Sequence, residues 1–241
     1  MTAIIKYRGL SSDEFGLRVI NDMEYSSPEA DISFESLPGV DGEMAIDNKR
    51  YKGVNRAWPV RMISPDGNRI EKQAKKVSDW LKSNPGWYDL EWSGDPGYIY
   101  KAIYYESIDV KRLLENFGSA ILKFKLKPHK YISWGLDRKD ITKTKILSNP
   151  ELYDSLPLIE LTATGSVDLV INDKKYALKN LNGSIKIDCE AEFCSDSGGN
   201  ANEKAEFYPY PRLTPGKNVF SWEGAGTVTR LVVTPRWRCL V

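Results

Sequence analysis

Apolar and polar residues alternate with a period of two through most of this chain. Ala3, Ile5 and Tyr7 alternate before a turn at Gly9, Leu10, Ser11 and Ser12. Tyr88, Leu90 and Trp92 fall on one strand face, and Tyr98, Tyr100, Ala102 and Tyr104 on another. Ser93-Gly94-Asp95-Pro96-Gly97 lies between them, and two alternating runs joined by such a turn predict a β-hairpin. Further on, Ala120, Leu122, Phe124 and Leu126 alternate with Lys123, Lys125 and Lys127, the pattern of a half-buried antiparallel strand. One stretch has the helical period instead. Ile70, Ala74, Val77, Trp80 and Leu81 make a single apolar stripe, Asn68 with Glu71 fits a capping box, and Asn84-Pro85-Gly86 stops the helix. A stripe this narrow predicts a helix lying on a sheet with its lysine-rich face in water.

Residues 31–57 read as a long hairpin turning at Pro38, Gly39, Val40, Asp41 and Gly42. The stretch 134–150 is polar and weakly patterned, which places a domain boundary near residue 135 and divides the chain into 1–135 and 136–241. Alternation then resumes. Val167, Leu169 and Ile171 precede an Asn172-Asp173 turn, and Ile185, Ile187 and Cys189 follow Asn182-Gly183, a strong hairpin signal. Phe220 with Trp222, and Val228 with Val232, add strands. Short strands with frequent turns predict a β-sandwich or jelly roll in the second half.

Composition narrows the function. The chain has 241 residues, enough for about two domains of average size. Its 41% hydrophobic and 28% charged residues are those of a globular protein. No apolar run approaches the roughly 18 residues a membrane span needs, and residues 1–10 show no signal-peptide pattern. A net charge of +1 gives no global attraction to nucleic acid or anionic membrane. One histidine, His129, and three cysteines, Cys189, Cys194 and Cys239, fit no zinc pattern. The cysteines are expected to be reduced packing residues; the rival is a Cys189–Cys194 disulfide, which requires an oxidising compartment.

Candidate catalytic chemistry is thin. His129 follows Pro128 near a strand end with no nucleophile elbow in the chain. Asp188, Glu190 and Glu192 alternate, and paired carboxylates about 5–10 Å apart can cleave glycosides, but such a row is more often a solvated strand face. Gly224-Ala225-Gly226 lacks the third glycine and following helix of a phosphate loop. Asn182-Gly183-Ser184 matches a glycosylation sequon but reads as a turn. Trp87, Trp92, Tyr98, Tyr100 and Tyr104 could form a stacking platform, or equally a core or subunit interface. No enzyme activity, cofactor or metal is expected.

Several segments, in order, resemble the distal tail protein (Dit) family of long-tailed bacteriophages. They are Gly9-Leu10-Ser11-Ser12-Asp13-Glu14-Phe15-Gly16-Leu17, Leu37-Pro38-Gly39-Val40-Asp41-Gly42, Tyr88-Asp89-Leu90, Asp95-Pro96, and the run from Leu122 through Pro128 to Tyr131. In the second half they are Asn149-Pro150, Leu156-Pro157-Leu158-Ile159, Ile187-Asp188-Cys189-Glu190, Leu213-Thr214-Pro215-Gly216-Lys217-Asn218 and Pro235-Arg236-Trp237-Arg238. His129 departs from the tyrosine that often follows the proline in that family. The resemblance implies a mostly β protein: a tail-tube-like β-barrel or sandwich with one flanking helix over 1–135, and a galectin-like β-sandwich over 136–241. It implies a homo-hexameric ring in the virion tail tip, made in the bacterial host cytoplasm, with DNA passing through the lumen and no membrane role. The implied partners are the tail-tube protein, a tail-associated lysin or fibre protein and, in some phages, receptor-binding proteins. Leu37, Pro38, Gly39, Val40, Asp41 and Gly42 are the ring-interface candidates. A major tail-tube protein and a carbohydrate-binding module are the alternatives. A DNA-conducting lumen should be neutral or acidic, with Lys123, Lys125 and Lys127 facing away or paired. Residues 195–203 lack an aromatic platform, so host recognition is expected to belong to partner proteins.

Overall fold

A computed structural model describes residues 3–20, 24–64, 67 and 69–241. The chain divides into two compact units, one from Met1–Lys130 with Leu240–Val241 and the other from Tyr131–Cys239. The first contains β1 (Ile5–Tyr7), β2 (Leu10–Ser11), β3 (Leu17–Val19), β4 (Ala30–Ser36), β5 (Glu43–Tyr51), β6 (Val54–Ile63), α1 (Ile70–Lys82), β7 (Tyr88–Trp92), β8 (Tyr98–Ile103), β9 (Val110–Leu114) and β10 (Phe117–Ile132). A curled, half-barrel sheet runs β2-β1-β7-β8-β10-β6-β3, with β9 also paired to β10. Its core face carries Tyr7, Trp58, Leu90, Tyr100, Leu122 and Phe124. Phe124 is the hub of this packing: Tyr7, Trp58 and Tyr104 meet it edge-on at 5.0, 5.5 and 5.1 Å between ring centroids.

α1, the one α-helix among the described residues, covers this face because its stripe is apolar. Ile70, Val77, Trp80 and Leu81 are buried, joined by Gln73, whose amide donates to the Phe15 carbonyl at 2.7 Å. Trp80 stacks on Phe15 at 4.5 Å, and its indole N–H donates to the Tyr7 carbonyl at 3.2 Å. No side chain at Arg69 caps the helix. The expected capping residue Asn68 lies outside the described residues.

The second unit holds β11 (Lys139–Asp140), β12 (Ile146–Asn149), β13 (Leu158–Ile171), β14 (Lys174–Asp188), β15 (Phe193–Asp196), β16 (Gly199–Asn200), β17 (Ala205–Glu206), β18 (Gly216–Glu223) and β19 (Thr227–Thr234). β20 (Arg238–Leu240) follows, and the Val241 N–H returns to the Pro128 carbonyl at 3.0 Å. The main order is β11-β19-β13-β14-β15-β16, with β18 paired to both β12 and β13 and β17 to β14. Its spine is the β13–β14 hairpin, turned by Asn172 and Asp173 at φ 50° and 65°. Both positive angles mark the type I′ turn that matches strand twist.

Asn182-Gly183 makes no turn. Asn182 pairs with Thr164 and Gly183 with Ala163 inside the continuous β14. The register slips opposite the Gly165/Val167 step, and Asn180 takes a positive φ there. That slip keeps Tyr176, Leu178, Leu181, Ile185 and Ile187 buried along β14, so burial of a whole strand face overrides a local turn preference.

Candidate assembly surface

β4 and β5 form a two-stranded sheet of their own, with no third strand among the described residues. Pairing runs Ile32↔Asp47, Ser33↔Ile46, Phe34↔Ala45, Glu35↔Met44 and Ser36↔Glu43. Directly opposed residues share a face. Ile32, Phe34 and Ala45 therefore lie on one face, and Met44 and Ile46 on the other. Every one of them is exposed, Phe34 at 61%.

The tip is built by Pro38 and Gly39. Gly39 takes φ 80° and the Val40 N–H returns to the Leu37 carbonyl at 3.2 Å, the type II geometry that asks for glycine at its third position. Gly42, at φ 90°, leads into β5. Leu37 (47% exposed) and Val40 (63%) thus project at the end of the hairpin. Charge is segregated along it. Near the base, Arg50 donates to Asp31 at 2.5 Å, Lys49 to Asp47 at 2.7 Å and Lys52 to Glu29 at 3.4 Å. Hydrogen bonding from Arg50 holds the Asp31 carboxyl below its ordinary value, and Lys49 does the same for Asp47. Residues 32–46 contain Glu35, Asp41 and Glu43 and no lysine or arginine.

Leu37, Pro38, Gly39, Val40, Asp41 and Gly42 all sit at the tip. The hairpin itself spans 30–51 rather than 31–57, because β6 begins at Val54 and belongs to the large sheet. The apolar residues on the strands, Ile32, Phe34, Met44 and Ile46, were not among the candidates. Their signal was present: Ile32-Ser33-Phe34 and Met44-Ala45-Ile46 put apolar groups on both faces.

The other candidate chemistry resolves into structural roles. His129 lies within β10, its ring edge-on to Tyr51 at 5.9 Å. Asp188, Glu190 and Glu192 do not line a strand face, because β14 ends at Asp188 and a turn follows. Asp188 accepts two hydrogen bonds from Arg236, at 2.7 and 3.2 Å, and two from the turn N–H groups of Glu190 and Ala191. Burial raises the Asp188 carboxyl, but these bonds outweigh it and leave it below the ordinary value. Glu190 accepts from the Tyr131 hydroxyl at 2.9 Å. Cys189 and Cys194 are buried free thiols, and burial pushes both up in pKa. Gly226 packs where a Cβ would fall 2.5 Å from the Thr164 carbonyl oxygen, so this glycine serves a close backbone approach. Lys123 pairs with Glu106 at 3.7 Å, and Lys127 lies over the Trp87 ring at 5.8 Å. Among the described residues no group of three or more His, Cys, Asp or Glu could hold a metal.

The sequence motifs of the second half are likewise structural. Asn218 is fully buried; its oxygen accepts from the Thr214 N–H (2.9 Å) and the Asn172 amide (2.7 Å), and its amide donates to the Thr214 and Gly216 carbonyls at 2.8 and 3.1 Å. Asn149 bridges the Tyr153 and Leu213 carbonyls. Trp237 is buried against Gly135, and Arg238 donates to the Asp154 carbonyl at 2.8 Å.

The fold defines a mostly β protein of two units, a curled half-barrel sheet with one helix and a second β-sheet unit, carrying an uncovered apolar hairpin. This fold is shared with a solved protein. The crystal structure of the Dit protein of phage SPP1, described as a paradigm of the hub adsorption apparatus in Gram-positive infecting phages, aligns over 97% of this chain and 97% of its own, with a TM-score of 0.71 and 15% identity. The phage p2 baseplate in its activated conformation with Sr aligns over 96% of this chain and 97% of that chain, with a TM-score of 0.46 and 10% identity, a likeness too loose to carry an inference. No family model matches the chain, and no curated protein matches it.

Proposed function

We propose that this chain is a non-enzymatic structural hub protein of a phage tail tip, working as a distal tail protein within the virion. The observation that carries the reading is the β4–β5 hairpin. An isolated two-stranded hairpin is marginal in water, and this one exposes apolar residues on both faces and backbone groups along both edges. Such an element gains stability by docking on another copy. The shared fold with the SPP1 Dit protein supplies the context, since that protein is described as belonging to a hub.

In this reading the first unit closes a homo-hexameric ring. The hairpin tip, led by Leu37, Pro38, Gly39, Val40, Asp41 and Gly42, reaches a neighbouring copy. The acidic stretch 32–46 complements a cationic surface, and the exposed Lys125 on β10 offers that charge, Lys123 beside it being shared with Glu106. DNA passes through the lumen. The tail-tube protein binds on one side, a tail-associated lysin or fibre protein on the other, and receptor-binding proteins dock in some phages. Residues 1–135 would form the ring and 136–241 a galectin-like sandwich.

Negative-stain electron microscopy and native mass spectrometry of the purified full chain test this, alone and mixed with tail partners. Rings with a central hole and a hexamer mass are expected. A stable dimer under all these conditions, or a monomer that never assembles, would sink it.

A further inference from the structure

The second unit contains a cleft that plays no part in hub assembly as proposed above. Its volume is ≈ 580 Å³, within the roughly 300–1,000 Å³ of small-ligand sites. Its wall is aromatic. Phe207 is held edge-on between Tyr176 and Tyr210, at 5.5 and 5.3 Å between centroids. Edge-to-face contacts of this kind fix ring orientation without filling the space in front of the rings. Tyr208 stands beside them at 81% exposure, with no hydrogen bond or ring contact among the described residues. A tyrosine presented in this way at the rim of a concave site offers one flat apolar face and one hydroxyl.

The rest of the lining is polar and carries a charge imbalance. Lys175 and Glu206 are already engaged, by Glu223 and by Lys179. Lys174, Arg212 and Asp154 make no ion pair among the described residues, which leaves two cations against one carboxylate. The Tyr176 and Tyr210 hydroxyls remain protonated donors at neutral pH. Burial raises Tyr176, and burial with the Cys194 contact raises Tyr210 to about 12.

We infer that the cleft lined by Tyr176, Phe207, Tyr208, Tyr210, Lys174 and Arg212 binds a saccharide unit bearing an anionic substituent, phosphate or carboxylate. A pyranose ring has a C–H face that stacks on an aromatic ring and a hydroxyl rim that takes paired donors and acceptors. The cleft presents both together. The surplus cation selects for an acidic sugar over a neutral one. A protein partner fits less well, because protein interfaces are broad and of low curvature, whereas this site is concave and small. The residues lie just beyond the segment 195–203, which has no aromatic side chain.

The test uses the full chain, in whatever assembly it adopts, since the cleft lies wholly in one unit. Saturation-transfer NMR and calorimetry would be run with glucose 6-phosphate, glucuronate, glucose and inorganic phosphate. The two acidic sugars should bind more tightly than glucose, with transfer to their ring C–H protons, and inorganic phosphate should not displace them at equal concentration. Whichever acidic sugar binds better assigns the substituent. Tyr208→Ala, at an exposed position that leaves the melting curve unchanged, should weaken every sugar by about tenfold, the effect of losing one stacked ring. Arg212→Gln should erase the preference for acidic sugars and spare glucose. Absence of transfer to any sugar, full displacement by inorganic phosphate, or binding of a proline-rich peptide in place of sugars would overturn the inference. Ring assembly is read separately by mass, so a failure here leaves the hub reading standing.

Discussion

Phe34→Ala is the sharpest probe of the hairpin. A phenylalanine side chain contributes roughly 150–250 Å² on full burial. At 61% exposure Phe34 still holds on the order of 100 Å² of apolar surface to cover. At about 25 cal/mol per Å² that is about 2.5 kcal/mol for each hairpin docked, or roughly a 50- to 100-fold weaker contact when it is removed. The same exposure makes the substitution nearly silent in the isolated chain, within about 0.5 kcal/mol of stability. Sedimentation velocity over a concentration series reads the first quantity, and a thermal melt at a concentration where the chain is monomeric reads the second. A shift of the assembly midpoint with an unchanged melt is the expected pair of results. Met44→Ser adds a control on the opposite face. If both faces are covered, its effect adds to that of Phe34→Ala. Identical assembly of the wild-type chain and both variants would refute the reasoning, as would a variant that loses its monomer fold.

Three further outcomes follow from the second unit and the thiols. Asn218→Ala should cost about 2–4 kcal/mol, because it removes five hydrogen bonds from a fully buried side chain and orphans the Thr214 and Gly216 carbonyls; chemical denaturation measures it. Asp188 is depressed in the folded chain, so its contribution is present above the ordinary carboxylate value of about 4 and is lost as pH falls through the lower folded value. Asp188→Asn should therefore flatten the acid limb of a stability–pH profile and remove about 1.5–3 kcal/mol at neutral pH. Replacing Cys189, Cys194 and Cys239 together with Ala should leave assembly intact, at a cost of about 1–3 kcal/mol for each buried thiol. Loss of assembly in a triple variant that still folds would reveal a functional thiol.

Much of the fold class was legible because burial repeats along the chain. The alternation from Tyr88 to Tyr104 became β7 and β8, paired Leu90↔Tyr100, and the stripe from Ile70 to Leu81 became α1. Features decided by distant partners were not legible. Asn182-Gly183 carries a strong local turn signal, yet residues 158–171 supply a full pairing strand and leave no room for a turn. Asp188 and Glu190 look like a carboxylate row until Arg236, 48 residues from Asp188, and Tyr131, 59 residues from Glu190, claim them. Gln73, a polar residue inside the helix stripe, is buried because the Phe15 carbonyl meets it. The cleft at Tyr208 was overlooked for a related reason. Phe207-Tyr208-Pro209-Tyr210 has no period, and only the fold sets Tyr176 against it.

The distribution of apolar groups on the hairpin bears on how assembly closes. A strand pair with one apolar face can settle on its own unit and needs no partner. Here Ile32 and Phe34 occupy one face and Met44 and Ile46 the other, so no single surface covers both. Two copies related by a twofold axis at the tips would also bring Glu35, Asp41 and Glu43 close to their own duplicates. With no lysine or arginine between residues 32 and 46, nothing local offsets that repulsion. A head-to-tail contact avoids it, since each acidic tip then meets a different surface, such as the one carrying Lys125 on β10. Contacts of that kind either close into a ring or propagate as a filament. Added salt should weaken the contact through its charges, while the apolar faces keep it from dissociating fully. Assembly that strengthens steadily as salt is removed, and that remains measurable at 1 M salt for the wild type but not for Phe34→Ala, is the expected pattern. A twofold dimer indifferent to both salt and Phe34 would show that the hairpin does not make the contact.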